Sequence, residues 1–165
     1  MLSESARATT REEQRFRIDA PNSKARAIKV IALDRASETV LRRLAQQPWR
    51  SAAFMTVLNK QPSAQPVGGW LADLAGETMS LIEQIRSADV VVTLSSAGEN
   101  SEMAGVVAEA CRAQGKQMTA LILDAAGAPA ASLLKTLVPL RPCASMLVVA
   151  SGEEYVEAML TALRA

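Results

Sequence analysis

From residue 27 onward, short apolar runs alternate with stretches of helical periodicity. The runs are Ala27–Leu33 (AIKVIAL), Ala52–Leu58 (AAFMTVL), Val90–Leu94 (VVVTL), Met118–Leu123 (MTALIL) and Ser145–Val149 (SMLVV). They are too short for helices and lack the apolar–polar alternation of a half-exposed strand, so they predict five strands buried on both faces of a parallel sheet. Between them, apolar residues recur every three to four positions. Val40, Leu41, Leu44 and Ala45 predict a helix with Ser37 as N-cap and Pro48 as its stop. Leu74, Thr78, Leu81, Ile82 and Ile85 predict a second helix, ending at Ser87.

Met103, Val106, Val107, Ala110 and Cys111 predict a third helix, closed by Gly115 in the left-handed position that follows a C-cap. Leu133, Leu134 and Leu137 mark a short fourth helix, which Pro139 should cut. A capping box of Ser151 and Glu154 opens the last helix, whose apolar face is Tyr155, Val156, Met159, Leu160 and Leu163. Strands alternating with helices in this way mean an α/β fold with three α/β/α layers, a Rossmann-like open sheet of about five parallel strands joined by right-handed crossovers.

Two segments fall outside this rhythm. Residues 1–26 carry six basic and four acidic side chains, a single Phe16 and no sustained apolar period. That composition predicts a flexible tail ahead of one Rossmann-like domain over 27–165, the alternative being a short helix from Thr10 to Arg17 laid on a partner. The stretch Asn59–Gly69 is rich in Pro, Gly, Gln and Ser and is long for a strand-to-helix connection.

Composition removes several classes of function. The 165 residues are 49% apolar, enough for one domain core, and 18 basic against 17 acidic residues leave a net charge of +1. No global field draws the chain to nucleic acid or to an acidic membrane. Histidine is absent, which removes Ser-His and Cys-His catalysis and His-ligated metals. Aromatics at 3% leave too few rings for a base-stacking platform. Cys111 and Cys143 are too few for a disulfide scaffold and are expected reduced, and neither an export signal nor a membrane-length apolar run is present. A cytoplasmic protein is expected, with neither nucleic acid nor membrane among its partners.

In open parallel sheets, ligands bind beyond the carboxyl ends of the strands, where strand order reverses. For an order 2-1-3-4-5 that point lies between the first and third predicted strands. Asp34 and Ser37 fall there, together with the loop Ser95-Ser96-Ala97-Gly98-Glu99-Asn100-Ser101. Small donors running into a helix start suit a phosphate, so Ser95, Ser96, Gly98, Asn100 and Ser101 are the candidate ligand residues and Asp34, Ser37 and Asp124 the rim. Glu99 and Glu102 have the wrong charge for a phosphate cradle, and the alternative is an ordinary loop with Asn100 or Ser101 as helix cap. Asp34 and Asp124 would be the pair for a metal, but strand-end aspartates are usually caps or turn formers, and no metal or cofactor is expected. The first loop, A-L-D-R-A-S-E, has no glycine, and no P-loop is present, so GTP or NAD turnover is expected to be negligible.

The pieces IKVIAL (28–33), AAFMTVLN (52–59), SADVVVTLSSAGENSEMAGVVAEACRAQG (87–115) and MTALIL (118–123) resemble the framework of the FtsZ/tubulin-type GTPase domain. Both glycine-rich loops that contact GTP in that family are replaced, so the resemblance implies a degenerate relative without hydrolysis. Asp89–Leu94 followed by Ser95-Ser96-Ala97-Gly98-Glu99-Asn100 resembles the phosphosugar loop of the sugar isomerase (SIS) domain, with Ala97 for its second serine. That resemblance implies phosphate contacts from Ser95, Gly98, Asn100 and Ser101. The expected function is therefore a non-catalytic domain that binds a small anionic, phosphate-bearing ligand or a protein partner, with an SIS-type phosphosugar or nucleotide binder as the alternative. Any residual acid–base chemistry would fall to Asp34, Glu99 or Glu102. An assembly subunit is the third class. A homodimer is expected if part of the last helix's apolar face stays outside the core.

Overall fold

The computed structural model describes residues 25–57, 70–73, 78–163 and 165. Residues 1–24 of the expected tail, the segment 10–17, the stretch Asn59–Gly69 and Leu74 lie outside these. Five strands form the predicted parallel sheet: β1 (Ile28–Ala32), β2 (Ala52–Val57), β5 (Val90–Ser96), β6 (Met118–Leu123) and β7 (Met146–Val149). The antiparallel β3 (Trp70–Asp73) and β4 (Thr78–Ser80) extend it beyond β2, giving the order β4-β3-β2-β1-β5-β6-β7. The parallel part keeps the expected 2-1-3-4-5 order, and all its neighbouring pairs run parallel. The fold is a Rossmann-like α/β sheet between two helical layers.

The pleat explains the layers. Ile28, Val30 and Ala32 of β1 face one side with Val92, Leu94, Leu121 and Leu123, and there they pack on α1 (Arg35–Leu44) and α5 (Glu153–Leu163). Ile31 and Leu33 face the other side with Val91, Met118, Ala120 and Ile122, under α2 (Leu81–Arg86), α3 (Ala104–Ala113) and α4 (Ala130–Leu140). Ile28, Ile31, Leu94, Leu121 and Ile122 are wholly buried. Each such side chain contributes about 1.5–3 kcal/mol of burial free energy, which is why the runs without polar alternation became the central strands.

The expected left-handed turn at Gly115 is present, with φ of +63°. The Lys116 N–H bonds the Cys111 carbonyl at 2.8 Å and the Gly115 N–H bonds the Arg112 carbonyl at 3.1 Å, the paired bonds of a Schellman closure.

Several boundaries differ from expectation. Asp34, not Ser37, is the N-cap of α1: its carboxylate accepts the Ser37 N–H at 2.8 Å, and Ser37 is the third helical residue. The α1 helix also stops at Leu44, where the Trp49 indole N–H takes the Leu44 carbonyl at 2.7 Å, ahead of Pro48. Thr78 belongs to β4, paired with Ala72, because the β3 strand offers a ladder that a helix start there would forgo. Helix α2 is consequently only six residues long. The α4 helix runs through Pro139 to Leu140, losing only the bond the missing N–H would have made near its end. Leu134 points to solvent, and the inner face of α4 is Thr136 and Leu140 flanked by Leu133 and Leu137. Helix α5 starts at Glu153, a residue later than a cap on Ser151 implies.

On α5 the core takes Val156 and Leu160 entirely and Met159 and Leu163 in part, leaving Tyr155 45% exposed. At the far edge, β7 carries Met146 and Val149 at 59% and 47% exposure. Among the described residues, no helix is long and apolar enough to cross a membrane.

Candidate functional site

The strand order puts the reversal point between the carboxyl ends of β1 and β5. Leu33 continues the ladder there through its N–H to the Leu94 carbonyl at 2.9 Å, which brings the next residue, Asp34, alongside Ser95 and Ser96. Both serines prolong β5 rather than forming a loop, and both are buried. The Asp34 carboxylate joins three segments. One oxygen, Oδ1, accepts the Ser37 N–H at 2.8 Å; the other, Oδ2, accepts the Ser95 hydroxyl at 3.0 Å and the Ser96 N–H at 2.9 Å. Ser37 closes the arrangement by donating its hydroxyl to the Asp34 carbonyl at 3.0 Å.

Asp34, Ser37, Ser95 and Ser96 thus converge, while the remaining candidates turn toward α4. The Gly98 N–H donates to the Thr136 hydroxyl at 2.9 Å, and the Ser101 hydroxyl donates to the Thr136 carbonyl at 2.8 Å. Lys135 reaches the Gly98 carbonyl with its ammonium at 2.9 Å. Asn100 Oδ1 accepts the Glu102 N–H at 2.9 Å, a local turn rather than a helix cap, since α3 begins at Ala104 after Met103. Of the other loop amides, Ala97 bonds the Leu123 carbonyl and Glu99 the Ser96 carbonyl. Asp124 stands exposed at the end of β6 in a left-handed conformation, φ 56° and ψ 27°, with no side-chain capping bond. It shares the carboxyl edge with Asp34, but the hydrogen bonds of that cluster do not include it.

Two features were not anticipated. Thr136 is wholly buried and holds the loop, and its signal was a hydroxyl in the middle of an otherwise apolar helical stripe. The second is a cleft of about 640 Å³ at the carboxyl ends of β1 and β2. Asp34, Arg35, Glu38, Thr39 and Arg42 line one side of it and Thr56 and Val57 the other. Its lining charges balance, with Glu38 gripping Arg42 at 2.6 Å. Arg35, exposed at the first turn of α1, has no partner for its guanidinium among the described residues. Among those residues, no three His, Cys, Asp or Glu side chains are grouped to hold a metal ion.

The arrangement offers one guanidinium, the Thr56 hydroxyl and a helix start around an open polar cleft, with the Thr39 hydroxyl donating to the Arg35 carbonyl at 3.1 Å. The Cys111 thiol lies away from it in the core under α3, where burial pushes its pKa up to about 11. The chain matches no protein-family model and no curated protein sequence.

Proposed function

We propose that this chain is a non-catalytic Rossmann-like binding domain that takes a small polar ligand bearing one anionic group, at the carboxyl edge of its sheet. The observation that carries the reading is the cleft beside Asp34, open to solvent and supplied with the unpartnered Arg35. Arg42 is already held by Glu38, so Arg35 is the cation that an incoming phosphate or carboxylate meets, in the first turn of a helix whose dipole favours an anion. Thr56 supplies a hydroxyl for the remainder of the ligand, while the Thr39 hydroxyl donates to the Arg35 carbonyl at 3.1 Å and is left to accept. The Gly98–Ser101 loop is tied to α4 instead, through Gly98 and Ser101 to Thr136. Free thiols at Cys111 and Cys143 fit a cytoplasmic setting, and the exposed Tyr155 is the part of the α5 face left for a two-fold homodimer, which light scattering would measure.

The test is a thermal-shift and calorimetric titration with GTP, a hexose phosphate and the unphosphorylated hexose, on wild type and Arg35→Ala. A phosphate-bearing ligand is expected to stabilise the wild type and to lose about tenfold or more in affinity in R35A, in line with a charge-assisted contact. Stabilisation by GTP alone favours the FtsZ-type descent; stabilisation by the hexose phosphate alone favours the SIS-type alternative. Equal responses in wild type and R35A would overturn the assignment.

A further inference from the structure

We infer that β7 is the seam of an antiparallel two-fold homodimer, in which a second copy of this chain pairs edge to edge and continues the sheet. The inference rests on the homodimer proposed above and gives it a place and a register. Among the described residues, the large hydrophobic side chains left exposed are Val106, Leu134, Val138, Met146, Val149 and Tyr155. All but Val106 lie on β7 or on the helices that precede and follow it in the chain. Leu134 and Val138, 53% and 64% exposed, stand one turn apart on the side of α4 turned away from the Gly98 turn, which Ser132 and Thr136 face. Tyr155 stands on the flank of α5 opposite Glu153, whose carboxylate meets Arg43 of α1 at 2.9 Å, so it looks toward the outer strands. Exposed apolar side chains therefore border the edge strand on both faces of the sheet.

The backbone of this edge is self-complementary. The Ala150 N–H is spent on the Ile122 carbonyl at 2.8 Å, and β7 keeps one register on β6 from Met146 to Val149. Alternate residues of a paired strand bond to the same side, so Val148 bonds inward with Ala150, whereas the N–H and C=O groups of Leu147 and Val149 point out of the sheet. A two-fold axis at Val148 sets Leu147 opposite Val149 of the second copy, and Val149 opposite its Leu147, each pair exchanging both N–H···O=C bonds. Leu147 and Val149 share the α4 face of the strand, as opposed residues of one continuous sheet must, and a slip by one residue would break that match. The five exposed side chains leave roughly 500 Å² uncovered per chain, and the β7 backbone with Leu147 and Val148 brings the seam near the about 600–1,000 Å² per partner of specific dimers. No charge or proline of β7 repels the copy.

The test combines sedimentation velocity, amide hydrogen exchange and cross-linking on the full chain. The wild type is expected to reach twice the mass of one chain at tens of micromolar, and the Leu147 and Val149 amides to gain at least tenfold protection over the same rise in concentration. Val148→Cys in a Cys143→Ser background places two thiols on the axis, where facing Cα atoms lie about 4.5 Å apart, within disulfide reach. Oxidised glutathione is expected to convert it to a covalent dimer, but not Met146→Cys in the same background, whose thiols lie about 13 Å apart along the strands. Val149→Pro removes an outward donor without touching the β6 ladder and is expected to weaken dimerisation at least tenfold. A dimer whose Leu147 and Val149 amides stay unprotected, or whose folded Val148→Cys variant forms no disulfide, would overturn the seam and leave the homodimer standing. A chain that stays monomeric would overturn both, and constant protection of those two amides in that monomer would assign the edge to a segment of its own chain. Ligand binding at the cleft is read separately, by the titrations on Arg35→Ala.

Discussion

Thr136 accepts the Gly98 N–H at 2.9 Å with the same hydroxyl oxygen that reaches the Glu99 carbonyl at 2.9 Å, so one buried side chain holds both flanks of a tight turn. A valine at 136 preserves the shape but strands the part-buried Gly98 N–H and the buried Ser96 carbonyl, which the Thr136 hydroxyl reaches at 3.2 Å. Thr136→Val is expected to cost about 1–3 kcal/mol, whereas Thr136→Ser keeps the bonds and costs about 1 kcal/mol or less. Urea unfolding of the two variants side by side checks this, and equal losses would contradict it.

The turn itself needs glycine. Gly98 sits at φ +93°, where a β-carbon is strained by its own backbone, and that carbon would meet Ser132 Cβ at 3.4 Å. Gly98→Ala is expected to lose about 1–2 kcal/mol, read as a lower melting temperature. Gly115 at φ +63° has open space around it, so Gly115→Asn, a residue that tolerates the left-handed region, should cost less than Gly98→Asn.

Cys111 gives the fold an alkaline limit. Burial raises its pKa from 9.0 to about 11, so the folded protein keeps a proton that the unfolded chain releases. The sign follows: this contribution is fully present below pH 9 and is lost as pH rises from about 9 through 11, amounting to on the order of 2 kcal/mol. Unfolding free energies at pH 8 and pH 10.5 should differ by less in Cys111→Ala than in wild type. The same burial predicts that thiol reagents modify the half-buried Cys143 first.

What the sequence disclosed followed from local chemistry. The strands declared themselves because burial on both faces leaves no polar alternation, and Gly115 because a left-handed helix exit is cheap only for a few residue types. The β3–β4 pair stayed hidden because strand pairing supplies hydrogen bonds that the intrinsic preference of Thr78–Ser80 does not encode. The grouping of Asp34 with Ser95 and Ser96 was legible as far as the strand order, which places the two strand ends together. What the carboxylate does there was not legible, since a bond between residues 61 positions apart has no periodic trace. Asp34 read as rim and Ser95 as ligand contact, whereas the two bond each other.

The β7 edge has a further consequence, for behaviour under stress. Its four residues, Met146-Leu147-Val148-Val149, are all apolar, with no charge or proline to discourage pairing, and among the described residues no strand pairs with its outer backbone row. Mild heating that loosens the neighbouring α4 would present a ready template for strands from other molecules, making β7 the seed of aggregation rather than the weak point of folding. Because Met146 is already 59% exposed, Met146→Lys should leave the melting temperature almost unchanged while delaying the onset of turbidity. The same lysine placed at the buried Leu121 would instead unfold the chain, separating colloidal from conformational stability in a single pair of variants.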